Sequence, residues 1–178
     1  LVFPSNVLMM GGERRPEMAE AHFEAVADAT DLPIICFNYA RWTNLAYPLE
    51  TIIRLAEKIP SLVAIKDWTA EPMEHERNIR TLQSLSRPIN VLSTNSAWLM
   101  ASLSMGASGL LSGAGSIIAD LQVAMFRAMQ SGDLTTARAI NDRMQPVTQA
   151  FYAPPFLDMH NRMKEAAVLL GRQERAIV

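Results

Sequence analysis

Lys66 is the residue of this sequence best placed to act as a nucleophile. It ends an apolar run at residues 62–65, and the chain of 178 residues contains two other lysines, Lys58 and Lys164. In α/β proteins, active sites form at the carboxyl ends of buried parallel strands. A lysine desolvated there has a lowered pKa, and its amine can attack a carbonyl carbon. The alternative is a side chain that reaches solvent or pairs with Asp67.

Tyr39 is the second candidate, as a group that moves protons. It lies two residues after Phe37 in the apolar run at residues 32–39, so the two rings point to the same side of an extended chain. A tyrosine hydroxyl at the end of a strand can pass a proton to a reacting carbonyl group. The alternative is a ring at the edge of the core whose hydroxyl has a local hydrogen-bond partner.

Short polar residues and glycines follow two further apolar runs. Ser93 and Thr94 end one of them, where they can line a pocket or cap the next helix. Residues 109–116, which include Leu111 and Ser112, are rich in glycine and can present backbone N–H groups to an anion. The third glycine of a dinucleotide-binding fingerprint is missing, which argues against a nucleotide site.

Composition and charge exclude several classes of function. With 16 basic and 18 acidic residues the net charge is −2, and we expect neither a nucleic-acid nor a membrane partner. No apolar run approaches the ~18 residues of a membrane span. The single Cys36 cannot form an internal disulfide, which favours a reducing, cytoplasmic location. The three histidines, His22, His75 and His160, do not have metal-ligand spacing.

The elements that must position these residues alternate along the first part of the chain. Short apolar runs predict four strands, and apolar residues at helical spacing predict helices between them. The alternation predicts a parallel sheet covered by helices, either an open doubly wound sheet or part of a (β/α)8 barrel. The predicted strands are residues 32–39, 61–66, 89–93 and 109–112, with residues 1–3 as the end of a fifth. The predicted helices are residues 16–30, 49–59, 74–85, 97–105, 118–131, 134–152 and 161–170.

The order of the motifs resembles a known family. Residues 32–38 (LPIICFN) and 63–67 (VAIKD) are similar to the dihydrodipicolinate synthase / N-acetylneuraminate lyase family. Residues 106–112 resemble the last barrel strand of that family, Gly-x-x-Gly-x-x-Ser, and residues 131–134 resemble its helical extension. The resemblance runs over essentially the whole chain.

For the fold, the resemblance implies α/β architecture of the (β/α)8 TIM-barrel type. Residues 1–132 would form the second half of the barrel, about the last four to five βα units, and residues 133–178 an incomplete C-terminal helical extension. A complete barrel takes about 250 residues, so we expect this chain to be a fragment of one.

For the activity, the resemblance implies a Schiff-base-forming lyase or aldolase. Lys66 would form an imine with pyruvate or another 2-oxo acid, without a metal or cofactor. The full-length protein is expected to be a homo-oligomer. Two alternatives remain: a 2-oxo-3-deoxy sugar acid dehydratase, and a non-catalytic family member that binds 2-oxo acids. The residues expected to line the substrate pocket are Phe37, Thr43, Ser93, Thr94, Leu111 and Ser112.

One departure from the family pattern bears on the mechanism. Phe37 stands where the family has a tyrosine that relays protons, and its ring has no hydroxyl. This argues against the synthase reaction of the diaminopimelate pathway. We hypothesise that Tyr39, on the same face of the strand, supplies the lost hydroxyl.

Overall fold

Four parallel strands form one sheet in the order of the chain. The computed structural model describes residues 1–177, except for the side chain of Leu8; Val178, the last residue of the predicted extension, lies outside the described residues. The strands are β1 (Ile34–Asn38), β2 (Leu62–Asp67), β3 (Asn90–Ser93) and β4 (Gly109–Leu110). Val2 adds a single parallel bridge to Cys36, so the first residues continue the sheet beyond β1.

Within residues 1–177, seven α-helices connect and follow the strands. All seven were predicted, and their ends differ by a few residues. The third helix begins at Pro72, two residues before the predicted start. Glu71 caps it there, because its side chain accepts hydrogen bonds from the backbone N–H groups of Met73 and Glu74. Within residues 1–177 no helix is long and apolar enough to cross a membrane. The helices are α1 (Pro16–Asp28), α2 (Leu49–Lys58), α3 (Pro72–Leu82), α4 (Leu99–Ser104), α5 (Gly115–Gln130), α6 (Leu134–Phe151) and α7 (Met159–Leu169).

The strand order shows no reversal. A doubly wound sheet reverses its strand order at a switch point, whereas a barrel places consecutive strands side by side. The four described strands lie in the order β1-β2-β3-β4, all parallel. This is the order that a segment of a barrel has.

Residues in register across the sheet form rows that point alternately to its two faces. One row is fully buried among the helices and consists of Cys36, Ile65 and Val91. The next row points to the opposite face and consists of Phe37, Lys66 and Leu92. The last row returns to the helix side and consists of Asn38, Asp67 and Ser93, all buried. Lys66 and Asp67 therefore point in opposite directions.

The apolar core has two parts. Aliphatic side chains of β1–β3 and α1–α3 form the first, with Ile52, Leu55 and Leu82 fully buried. The second joins α4 and α5 to α6 and α7, and Met144 of α6 and Met163 of α7 are buried in it. The C-terminal helices thus share a core with helices that precede residue 133. That shared core fixes them against the carboxyl ends of the strands.

Candidate active site

A cavity of about 400 Å³ lies at the carboxyl ends of β1 and β2, between the sheet and the C-terminal helices. Lys66 is the only lysine among the described residues that line it, and none of these residues has a carboxylate side chain. Within residues 1–177, no three His, Cys, Asp or Glu side chains are grouped closely enough to hold a metal ion. A cavity of this size accommodates a small organic ligand. Its aromatic lining residues are Phe3, Phe37, Tyr39, Trp68, Trp98, Tyr152 and Phe156.

The Lys66 amine lies half-buried against an aromatic ring. Its Nζ is 4.2 Å from the centroid of the Phe37 ring. Burial lowers the pKa of Lys66. The ring face acts in the opposite direction, because it attracts the ammonium form. Among residues 1–177 the amine has no carboxylate partner, so it has the surroundings of a nucleophilic lysine.

Asp67 does not pair with Lys66, because a buried cluster on the other face of the sheet engages its carboxylate. His75 Nδ1 donates to Asp67 Oδ2 at 2.6 Å, and the Ser102 hydroxyl lies 2.6 Å from His75 Nε2. Asn38 and Asn78 donate their side-chain N–H groups to the same carboxylate at 3.1 Å and 3.3 Å. We call these five residues the Asp67 cluster. Asp67, His75 and Ser102 are each 0% exposed.

Sequence reasoning missed the Asp67 cluster, although it contains a serine, a histidine and an aspartate in hydrogen-bonded order. That order resembles a hydrolase triad, but a substrate cannot reach a fully buried serine. A signal was present in the sequence: His75 precedes Ile79 and Leu82 at helical spacing, on the buried side of α3. The cluster joins β2 to α3 and α4, and so it fixes the strand end that carries Lys66.

Four of the predicted site residues come together. Phe37, Tyr39, Lys66 and Thr94 all line the cavity. The Tyr39 and Phe37 rings have centroids 4.1 Å apart, so the prediction that they share a face describes their arrangement. Burial raises the pKa of Tyr39, which keeps its hydroxyl protonated at neutral pH.

Four predicted residues lie outside this cavity, and two of them, Thr43 and Ser93, form local hydrogen bonds with the backbone. The Thr43 hydroxyl donates to the Ala40 carbonyl at 2.7 Å and accepts from the Leu45 N–H, so it stabilises a local turn. Ser93 is fully buried in the row that points away from Lys66, and its hydroxyl accepts from a backbone N–H.

Leu111 and Ser112 line a neighbouring cavity of about 410 Å³ between β4 and α5. The Ser112 hydroxyl is nevertheless connected to the first cavity by hydrogen bonds through two other hydroxyl groups. Ser112 Oγ is 2.5 Å from Ser96 Oγ, and Ser96 Oγ is 2.7 Å from the Tyr152 hydroxyl. Gln122 Nε2 donates to Ser112 Oγ at 3.0 Å. We call Gln122, Ser112, Ser96 and Tyr152 the hydroxyl chain.

Tyr152 is the member of the hydroxyl chain that sequence reasoning missed most clearly. It follows the last residue of α6, and both it and Ser96 line the cavity with Lys66. Burial raises the pKa of Tyr152, while its hydrogen bond with Ser96 opposes that shift. The available signal was weak: a tyrosine just before Ala153-Pro154-Pro155, where a helix must end.

The turn between α6 and α7 covers the cavity. Phe156 stacks on Trp68 with ring centroids 5.4 Å apart and planes at 11°. The Arg162 guanidinium holds this turn by donating to backbone carbonyls at its start and end. The accepting carbonyls belong to Phe151, Ala153, Pro154 and Pro155. Arg162 thereby fixes the segment that carries both Tyr152 and Phe156.

Solved structures with a similar backbone belong to one family. Dihydrodipicolinate synthase from Aquifex aeolicus superposes with a TM-score of 0.78 at 24% identity, over 92% of this chain and 54% of that one. YagE, a prophage protein from E. coli K12 in complex with pyruvate, gives a TM-score of 0.78 at 24% identity, over 89% of this chain and 52% of that one. At this identity the likeness shows the fold.

Sequence comparison gives the same family. 4-Hydroxy-tetrahydrodipicolinate synthase of Gluconacetobacter diazotrophicus is 33% identical over 153 residues, which are 84% of this chain and 48% of that protein. The enzyme of the same name from Nitrosomonas eutropha is 37% identical over 123 residues, or 69% of this chain and 41% of that protein. The chain spans about half the length of the curated relatives it matches. The model of the dihydrodipicolinate synthetase family matches residues 13–177, and the chain therefore belongs to that family.

Proposed function

We propose that this chain is the C-terminal portion of a lyase that acts on pyruvate or a related 2-oxo acid through an imine on Lys66. The observation that carries the proposal is the position of this lysine. It lies at the carboxyl end of β2, half-buried in a cavity of about 400 Å³, and burial lowers the pKa of its amine. The solved complex of YagE with pyruvate supports the choice of ligand class.

The proposal includes an architecture. Residues 1–132 would form the second half of a (β/α)8 barrel, and residues 133–178 the start of its C-terminal helical extension. The consecutive order of the four parallel strands and the bridge formed by Val2 support this division. We further propose that the full-length protein is a homo-oligomer.

The chemistry would begin at the ketone of the 2-oxo acid. The neutral Lys66 amine adds to C2, and loss of water leaves a positively charged iminium group. When a hydroxyl at C4 loses its proton, the C3–C4 bond breaks and an aldehyde leaves. The bonding electron pair moves toward the iminium nitrogen to give an enamine. Protonation at C3 and hydrolysis then return the free lysine.

The residues around Lys66 would divide the remaining work. Tyr39 would carry the proton from the attacking amine to the ketone oxygen, in place of the hydroxyl that Phe37 lacks. The Phe37 ring, which touches both Tyr39 and the Lys66 amine, would hold the apolar side of the substrate. Thr94 would bind a polar group of the substrate from the end of β3.

Reductive trapping tests this function. The protein, expressed from its complete reading frame, is treated with pyruvate and borohydride, and its peptides are analysed by mass spectrometry. We expect a reduced adduct on Lys66, none in Lys66→Met, and an unchanged adduct in the control Lys58→Met, whose ion pairs with Glu20 and Glu24 lie elsewhere.

The same experiment separates the alternatives. If no 2-oxo acid gives an adduct on Lys66, the lyase proposal is wrong and a non-catalytic binding protein is left. If a 2-oxo-3-deoxy sugar acid gives an adduct and loses water without releasing an aldehyde, the protein is a dehydratase.

A further inference from the structure

We infer that Tyr152, from the helical extension, gives a proton to the hydroxyl that leaves C2 of the substrate and takes one from C3 or from the C4 hydroxyl, and that the hydroxyl chain orients its donation. The inference rests on the proposed imine chemistry of Lys66. It assigns Tyr152 a role distinct from that of Tyr39, which acts at the amine.

We assign a direction to the hydroxyl chain starting from its first member. The Gln122 amide nitrogen is a donor only, so Ser112 accepts from it at 3.0 Å. Each hydroxyl has one hydrogen to donate and can accept two hydrogen bonds, and we assign the Ser112 hydrogen to the contact with Ser96 at 2.5 Å. The Ser96 hydrogen then points to the Tyr152 oxygen at 2.7 Å, a shorter contact than the 3.4 Å to the Thr94 carbonyl.

This direction leaves the Tyr152 hydrogen free to point elsewhere than at Ser96. Tyr152 lines the same cavity as Lys66, so the hydrogen is available to a ligand there. The hydrogen donated by Ser96 also stabilises the phenolate that remains after Tyr152 gives its proton away. A phenol held in this way is protonated at rest and can recover its proton from the substrate.

The proton transfers balance across one cycle. Tyr152 gives its proton to the hydroxyl that leaves C2, which departs as water and leaves the iminium group. The resulting phenolate takes a proton from C3 of pyruvate, or from the C4 hydroxyl of a longer substrate, as the enamine forms. Tyr152 is then neutral again, and the reverse steps return the free 2-oxo acid. No other reactant is needed.

The packing around Tyr152 explains how its hydroxyl is held. A Cβ added at Gly113 would lie 3.4 Å from the Tyr152 hydroxyl, so the Gly113 backbone lies beside it. Phe156 lies beside the Tyr152 ring with centroids 6.1 Å apart, on the turn that Arg162 fixes. The hydroxyl is thus placed from both the sheet side and the helix side.

Deuterium exchange tests the inference without knowledge of the aldehyde. In D2O, pyruvate exchanges the hydrogens of its methyl group each time the enamine forms, and NMR measures the rate. We expect Tyr152→Phe to lower this rate by about 10²–10⁴-fold, the usual contribution of a positioned acid or base. Borohydride trapping of Lys66 should still reach completion, because water can supply the proton for the dehydration step.

Two further variants sharpen the test. Tyr47→Phe removes the hydroxyl of a buried tyrosine that does not line this cavity, and exchange should be unchanged. Ser112→Ala interrupts the hydroxyl chain but keeps Tyr152, and exchange should fall by about tenfold, the worth of one neutral hydrogen bond.

The outcomes separate the two proposals. If the unmodified protein gives no adduct on Lys66, the lyase function is wrong and this inference falls with it. If it gives the adduct and exchanges the methyl hydrogens, but Tyr152→Phe exchanges them as fast, the function stands and the role of Tyr152 is refuted.

Discussion

The Asp67 cluster and the hydroxyl chain are two hydrogen-bonded groups at the same end of one sheet, and they differ in access. The Asp67 cluster is closed, since Asp67, His75 and Ser102 are fully buried and their polar atoms face one another. The hydroxyl chain is open at one end, where Tyr152 lines a cavity of about 400 Å³. Judged by hydrogen-bond geometry alone, Ser102, His75 and Asp67 would be the first choice as catalytic groups.

The alternation of side chains along β2 produces this difference. Lys66 and Asp67 are neighbours in sequence and point to opposite faces of the sheet. The lysine therefore meets the cavity, and the aspartate meets helices α3 and α4. The Asp67 cluster is thus placed to support the strand end, and the hydroxyl chain is the group that we propose to serve the chemistry.

The largest effect is expected from a substitution that disrupts the Asp67 cluster. His75→Ala leaves the buried Asp67 carboxylate without its closest donor and opens a void between α3 and α4. We expect the free energy of unfolding to fall by about 3–5 kcal/mol, because the buried carboxylate loses a hydrogen-bond donor and the removed ring leaves a cavity. Urea denaturation, extrapolated to water, measures it.

The control for this prediction is the exposed His160. His160→Ala should change the free energy of unfolding by less than about 0.5 kcal/mol, as most surface substitutions do. A loss below about 1 kcal/mol in His75→Ala would show that the Asp67 cluster does not hold the strand end.

A smaller effect, on the pKa of Lys66, is expected in the cavity at the contact between Lys66 and Phe37. Burial lowers the pKa of Lys66, and the ring face 4.2 Å away partly offsets this by attracting the ammonium form. Phe37→Leu keeps the site apolar and removes the ring. The pKa of Lys66 should then fall further, because the ammonium form loses its attraction to the ring face.

The pH dependence of the trapping rate measures this change. Only the neutral amine attacks, so the rate rises with pH, and in Phe37→Leu the midpoint of that rise should move to lower pH. Phe37→Tyr retains a ring face and should leave the midpoint in place. An unchanged midpoint in Phe37→Leu would mean that the ring has no influence on the charge of Lys66.

The sequence predicted the open side better than the closed one. Periodicity located β1, β2 and helix α2 between them, and the apolar run before Lys66 placed that residue at a strand end. The periodicity of the sequence did not predict the register between β2 and β3. Ser93 pairs with Asp67 and so points away from Lys66. A shift of one residue in that pairing would have reversed its direction.

The members of both groups that sequence reasoning missed lie on other elements of the fold. Tyr152 reaches the cavity because α6 packs on α5, and His75 reaches Asp67 because α3 packs on the sheet. These contacts depend on tertiary packing, which a pattern of short-range spacing does not encode. Thr43 failed to reach the cavity for the opposite reason, since a local turn satisfies its hydroxyl.

The smallest expected effect lies where the chain passes from the Asp67 cluster to the cavity. Ala70 lines the cavity with a φ of 58°, a left-handed conformation that costs a residue with a Cβ about 1–2 kcal/mol. Ala70→Gly removes that cost, while the greater freedom of glycine in the unfolded chain takes back about 0.4–1 kcal/mol. A net gain of about 0.5 kcal/mol is expected from denaturation curves. Ala29→Gly, at a φ of −89°, should instead lose stability. If both substitutions destabilise alike, the left-handed conformation of Ala70 stores no strain.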